Sequence, residues 1–198
     1  MLDSLTDTLK RAAAALEQER IPYLLGGGLG CWARGGPPSS NDIDLMVKRE
    51  DAERALAALQ GAGMRPEHPP EQWLLKAWDE KVLVDLIFEP AGIRVTDEVL
   101  ARGEDLNVAG MQVHVMALDD ILVTKLLALD EHNADYGAVL QVARALREQV
   151  GWPALRQRTS FSAFARAFFV LADGLEISLD ASRGAAARHV CRSPQTPP

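Results

Sequence analysis

The chain has 198 residues, 47% of them apolar, and a formal net charge of −7, which suits one domain with a real core, or one domain plus a helical appendage. The charge is uneven: residues 181–198 contain Arg183, Arg188 and Arg192 and no acid, so residues 1–180 carry −10. Such a body repels a polyanion held over many phosphates unless a local basic strip intervenes, which disfavours DNA and RNA as partners.

Leu5, Leu9, Ala12, Ala13 and Leu16 recur at the helical period, predicting an amphipathic helix over 3–20. It lacks the apolar run and cleavage site of a signal peptide, and no stretch approaches the ~20 apolar residues of a membrane span, so a cytoplasmic protein is expected. Ile21–Leu25 reads as a short buried strand. Gly26, Gly27 and Gly28 follow, then a short helix over Leu29–Arg34, a loop over Gly35–Ser40 and a second strand over Ile43–Val47. Asp51 is placed to cap a helix over Ala52–Gln60 that stops at Gly61-Ala62-Gly63. Leu74–Trp78 and Lys81–Phe88, parted by Asp79-Glu80, read as a β-hairpin, and Ala109-Gly110 precedes a strand over Gln112–Met116. The period then turns helical, over Leu118–Leu129, His132–Gln149, Trp152–Arg156 and Ser162–Leu175. The expected architecture is therefore α/β (α+β): a mixed sheet flanked by helices in 1–117, a helical region in 118–180, and a disordered Pro-rich tail in 181–198. Cys31 and Cys191 lie too far apart to suggest a disulfide framework or a metal spacing and read as reduced thiols.

Two features of residues 26–47 carry chemistry. Asp42 and Asp44 alternate with Ile43 and Leu45, so on a strand both carboxylates project from one face, ~6.5 Å apart along the chain. Like charges aimed into one space repel unless a cation joins them. Mg²⁺ prefers carboxylate and phosphate oxygens and seldom has an all-protein cage, so a bare pair of aspartates implies substrate phosphates. The three glycines, between a strand and a helix, offer free N–H groups and room for a phosphate, although a triple glycine alone also fits a tight turn. Asn41-Asp42-Ile43-Asp44 alone also fits a calcium loop or a solvated turn. Asp85 stands in the middle of the apolar run Lys81–Phe88, where an unpaired carboxylate would cost several kcal/mol. Either it reaches water or an arginine at a sheet edge, or it joins Asp42 and Asp44 in a cluster able to hold two metal ions ~3.5–4 Å apart.

Gly27-Gly28, thirteen residues, Asp42-Ile43-Asp44 and then an isolated Asp85 in an apolar strand resemble the DNA polymerase β-like nucleotidyltransferase superfamily over about residues 20–140. The short chain is similar to its minimal stand-alone members: antibiotic nucleotidyltransferases acting on aminoglycosides or lincosamides, and AbiEii-type toxin nucleotidyltransferases. The resemblance implies that residues 1–117 form the nucleotidyltransferase core, with Gly27 and Gly28 as the phosphate loop and Ser40 as the hydroxyl before the first aspartate. It makes Asp42 and Asp44 metal ligands and Asp85 the third carboxylate, which joins a metal and helps deprotonate the acceptor hydroxyl. It also places Lys125 near the nucleotide and likens Asp135 to an aspartate of a later helical motif. Pro38 stands where many relatives carry a basic residue, so Arg34 is the substitute charge for the triphosphate.

The implied reaction moves a nucleoside monophosphate from an NTP, with two Mg²⁺ ions, to a hydroxyl and releases pyrophosphate. A small cationic antibiotic suits the acidic body. The toxin-type alternative acts on tRNA or protein, with a possible antitoxin partner; for tRNA the candidate strip is Arg144, Arg147, Arg156, Arg158 and the basic tail. Trp73, Lys76 and Trp78 either line the base or acceptor pocket, or pack on the helical half with Lys76 in water. A third reading is a degenerate module that binds nucleotide or protein and docks through the aromatic run 162–169.

Overall fold

The computed structural model describes residues 2–39 and 42–178, with only the backbone for residues 2 and 3. Helix α1 (Leu2–Gln18) leads into β1 (Tyr23–Leu25), α2 (Gly27–Ala33), β2 (Asp42–Val47), α3 (Ala52–Gly61), β3 (Arg65–Glu67), β4 (Leu74–Asp79) and β5 (Val82–Ile87). Helix α4 (Asp97–Ala101), β6 (Glu104–Val108) and β7 (Met111–Val115) follow. The chain then turns helical through α5 (Leu118–Leu127), α6 (Tyr136–Ala145), α7 (Trp152–Thr159) and α8 (Ala163–Gly174). The strands form one seven-stranded mixed sheet in the order β3-β4-β5-β2-β1-β7-β6. Strand β2 runs parallel to β5 and antiparallel to β1, and β1 runs parallel to β7.

Strand alternation divides the sheet between two cores. On one face Leu25, Ile43, Leu45, Ala77, Val84 and Leu86 meet the apolar stripe of α1 and the Ala55, Leu56 and Leu59 face of α3. On the other, Leu24, Met46, Leu74 and Ile87 meet the helical half through Ile121, Leu122, Leu126, Trp152 and Phe168. Phe168 and Phe169 are buried, so the aromatic run of α8 is core and not the docking face expected of a degenerate module.

Several expected boundaries move for identifiable reasons. Asp51 makes no capping hydrogen bond; it accepts from Arg54 at 2.7 Å instead. The helix expected from His132 begins only at Tyr136, because Asp130 accepts from the N–H groups of His132 and Asn133 to fold a turn, and Asp135 caps α6 through Ala138 N–H. Strands β3 and β6 were not expected from the sequence. Each is an edge strand, polar on its open side, and β3 carries a proline, which only an edge tolerates.

The helical half is tied to the rest by buried charge. Asp120, 3% exposed, accepts from Arg102 Nε at 2.8 Å and from Arg158 Nη2 at 2.5 Å. Arg156 pairs with Asp173 and lies 4.4 Å over the Phe169 ring. Arg156 and Arg158 thus stand in the last turn of α7, as helix-end charges, with guanidinium groups engaged by Asp173 and Asp120 rather than left free for a basic strip. Asp120→Ala leaves two arginines facing an emptied buried site and should lower unfolding free energy by about 3 kcal/mol. Asp119→Ala removes one bond to Gly151 N–H and should cost only about 1 kcal/mol. Urea unfolding of both variants checks the order.

Among the described residues, no helix is long and apolar enough to cross a membrane.

Candidate active site

The face of the sheet that meets the helical half is left open toward one end, and three carboxylates converge there. Asp42 and Asp44 alternate on β2, and the parallel register of β5 sets Asp85 directly beside Asp44. One oxygen from each of the three lies within 4.8 Å of the others. Asp85 is thus on an interior strand between β2 and β4, away from the sheet edge.

Crowding perturbs Asp44 and Asp85. Burial, then the charges of Asp42 and Asp85, push the Asp44 carboxyl up to about 7, against the opposing pull of Lys125 and a hydrogen bond from Gly28 N–H. Asp85 is also raised, chiefly by burial, while the Lys76 ammonium beside it works in the opposite direction. Raised carboxylates in a group of three mark a place where positive charge is missing. The donors are hard anionic oxygens, which suit Mg²⁺ or Mn²⁺ rather than a soft thiophilic ion.

The glycines fit against this cluster. Gly26 caps α2 and its N–H donates to the Asp44 carbonyl at 2.8 Å. Gly27 has φ +54°, and a Cβ there would lie 2.9 Å from Asp44 Cβ and overlap its carboxylate. A Cβ on Gly28 would overlap Ser39 Oγ. The loop is therefore bare because the acid and a hydroxyl occupy the space that side chains would take. The hydroxyl seen against it is that of Ser39; Ser40, expected in this role, lies outside the described residues.

Beside the glycines a cleft of about 410 Å³ is lined by Gly28, Cys31, Ser39, Lys125, Asn133 and Asp135. Lys125, on α5, borders this cleft and acts electrostatically on Asp44. Asp135 lines the cleft while capping α6. A larger hollow of about 620 Å³ between α1 and α3 is walled by Arg11, Arg54 and a series of alanines. Neither hollow is lined by the clustered aspartates themselves, but only the smaller is lined by Gly28 and Lys125, two residues that act on Asp44.

Arg34 does not have the free guanidinium expected of a triphosphate ligand. Its side chain, 5% exposed, donates to the carbonyls of Met116 at 2.9 Å and Val115 at 3.4 Å and pairs with Glu104 at 3.2 Å. It staples the end of α2 to β7. Lys76 was expected in water or in a substrate pocket, yet its Nζ lies 3.2 Å from Asp85 Oδ1. Trp78 donates its indole N–H to Glu67 at 2.6 Å, while Trp73 stays 42% exposed.

A family model described as an uncharacterised nucleotidyltransferase matches residues 3–173. The fold is similar to the crystal structure of ANT(2")-Ia in complex with adenylyl-2"-tobramycin, with a TM-score of 0.61 at 18% identity, over 82% of this chain and 99% of that one. It is also similar to the solution structure of the antibiotic-resistance factor ANT(2'')-Ia, with a TM-score of 0.52 at 20% identity, over 96% and 97% of the two chains. At these identities the likeness concerns the fold. No curated protein matches the sequence.

Proposed function

This chain belongs to the nucleotidyltransferase family whose model spans residues 3–173, and on that premise we propose that it transfers a nucleoside monophosphate from an NTP to a hydroxyl of a small cationic molecule of the aminoglycoside type. The observation that carries the reading is the convergence of Asp42, Asp44 and Asp85 beside a side-chain-free loop. Asp42 and Asp44, with Asp85 beside them, are the residues that would hold Mg²⁺, which would supply charge neutralisation for the triphosphate. Gly27 and Gly28 admit the phosphates, and Lys125 faces the nucleotide from α5. The acceptor oxygen attacks the α-phosphorus, its proton passes to Asp85, and the bond from that phosphorus to the pyrophosphate oxygen breaks. The chain's own contribution is to align these groups and to hold the proton acceptor in place.

The acceptor class is supported by charge. Residues 1–180 carry −10, an anionic field that concentrates cations. Arg156 and Arg158, two of the arginines in the strip that an RNA acceptor would use, are engaged by Asp173 and Asp120. The structural neighbour bound to adenylyl-2"-tobramycin shares this fold, which adds an aminoglycoside to the acceptors worth testing first.

The test incubates the protein with Mg²⁺ and each labelled NTP, offering aminoglycosides, bulk tRNA and the protein itself in turn, with Asp42→Asn as the control. Label on an aminoglycoside that disappears in Asp42→Asn is the expected result. Label on tRNA alone would replace the acceptor, and no incorporation into any acceptor would sink the reading. Lys125→Ala should raise KM for the NTP about tenfold and leave KM for the acceptor within about twofold, as loss of one charged contact to phosphate predicts.

A further inference from the structure

The register of four neighbouring strands sets charged residues in one straight row. Asp44 on β2 pairs with Asp85 on β5, Asp85 pairs with Lys76 on β4, and Lys76 pairs with Glu67 on β3. Directly paired residues share a face, so the row runs across the open face of the sheet from the carboxylate cluster to the edge. Glu67 is engaged by the Trp78 indole at 2.6 Å. Lys76 turns to the other neighbour, with Nζ 3.2 Å from Asp85 Oδ1 and only 21% of its side chain exposed; the Asp85 side chain is 10% exposed.

We propose that Lys76 is the fixed cation of this active site: it holds Asp85 by Oδ1, reserves Oδ2 for the acceptor proton, and takes the place of a second metal ion. The inference rests on the nucleotidyl-transfer reading. Three ionised aspartates bring three negative charges into a space where their oxygens lie within 4.8 Å. The Lys76 ammonium offsets the charge on Asp85, and a single divalent cation offsets those on Asp42 and Asp44, leaving Lys125 on α5 to face the phosphates. A carboxylate gripped through one oxygen by an ammonium donates less well to metal there, and its rotation about the Cβ–Cγ bond is restricted. Asp85 is thereby kept as a proton acceptor with a set orientation, while Asp42 and Asp44 hold the metal. Lys76 acts through Asp85 and is a positioning residue. Its stem lies on the β4 strand of a tight hairpin, so the ammonium is placed by the sheet rather than by a flexible loop.

The experiment counts Mn²⁺ bound to the full chain by electron paramagnetic resonance in the presence of a non-hydrolysable ATP analogue, and measures kcat and KM for the NTP in parallel. The wild type and Lys76→Arg should bind one Mn²⁺ per chain, and Lys76→Met should bind a second. Lys76→Met should lose about 100-fold in kcat with KM for the NTP changed less than about threefold, and Lys76→Arg should recover most of that loss. Two Mn²⁺ per wild-type chain would overturn the proposal whatever the variants do. So would a Lys76→Met protein that binds one ion and turns over normally. Absence of transfer by a wild-type chain that binds one Mn²⁺ would sink the transfer reading instead, since the metal count is taken without turnover.

Discussion

Asp44→Asn will abolish nucleotide transfer and, in the metal-free protein at pH 8, raise the melting temperature. Both effects have one origin. The Asp44 carboxyl is pushed up to about 7 by burial and by Asp42 and Asp85, so between the ordinary carboxylate range and about pH 7 the folded chain binds a proton that the unfolded chain releases. Stability must therefore fall as pH rises through that window, and above it the whole penalty of holding the ionised group remains. An amide carries no such penalty. Allowing for water in a half-open cleft, the gain is about 2 kcal/mol, or roughly 4–8 °C for a domain of this size. Mg²⁺ should reverse the order, stabilising the wild type by binding only its folded form and leaving the amide variant unmoved. Thermal scans at pH 5 and pH 8, with and without Mg²⁺, check all of this. A variant less stable than wild type at pH 8 without metal would show that the three carboxylates are not in conflict as described.

Gly27→Ala is the second large effect, and its neighbours make it interpretable. The residue sits at φ +54°, and an added Cβ would overlap the Asp44 carboxylate. The backbone conformation alone costs about 1 kcal/mol for an L residue, and displacing Asp44 spoils the metal site, so transfer should fall by at least about 100-fold. Gly28→Ala meets Ser39, whose Oγ can rotate away but whose Cβ, 2.9 Å from the added methyl, must shift slightly with its loop, and should lose about tenfold, less than Gly27→Ala. Gly61, the last residue of α3, has ordinary φ and open space around it, so Gly61→Ala should be neutral or slightly stabilising. Steady-state rates for the three variants give the ranking. Equal losses at Gly27 and Gly61 would mean that steric fit to Asp44 is not what keeps Gly27 bare.

The parts of the site legible in the sequence were those written in a period. Asp42 and Asp44 alternate with Ile43 and Leu45, and Asp85 interrupts an apolar run, so strand geometry alone gave their common face and the need for a partner. The partnership of Lys76 with Asp85 was legible too, in principle. A hairpin turning at Glu80-Lys81 pairs Asp79 with Val82 and therefore Lys76 with Asp85; the hairpin shows in the sequence, and its register depends on the exact turn residues. Arg34 was misread because a lone arginine at a helix end looks the same in sequence whether it meets a phosphate or a row of main-chain carbonyls. Ser39 and Ser40 are adjacent hydroxyls, and which one faces the glycines depends on a loop path that no local pattern specifies. Strands β3 and β6 are not legible in the sequence because edge strands of three and five residues, mostly polar, carry little hydrophobic signal.

The alternation along β2 has a consequence for how this chain tolerates change. Ile43 and Leu45 are fully buried on one face, while Asp42 and Asp44 stand on the other. A single inserted or deleted codon inside the strand would exchange the two sets, driving carboxylates into the core as it removes them from the cleft. Catalysis and folding are thus encoded in the same reading phase. Frame-preserving length changes in β2 can hardly yield a folded but silent protein, whereas substitutions can, and inactive descendants of this chain should carry altered aspartates in a strand of unaltered length.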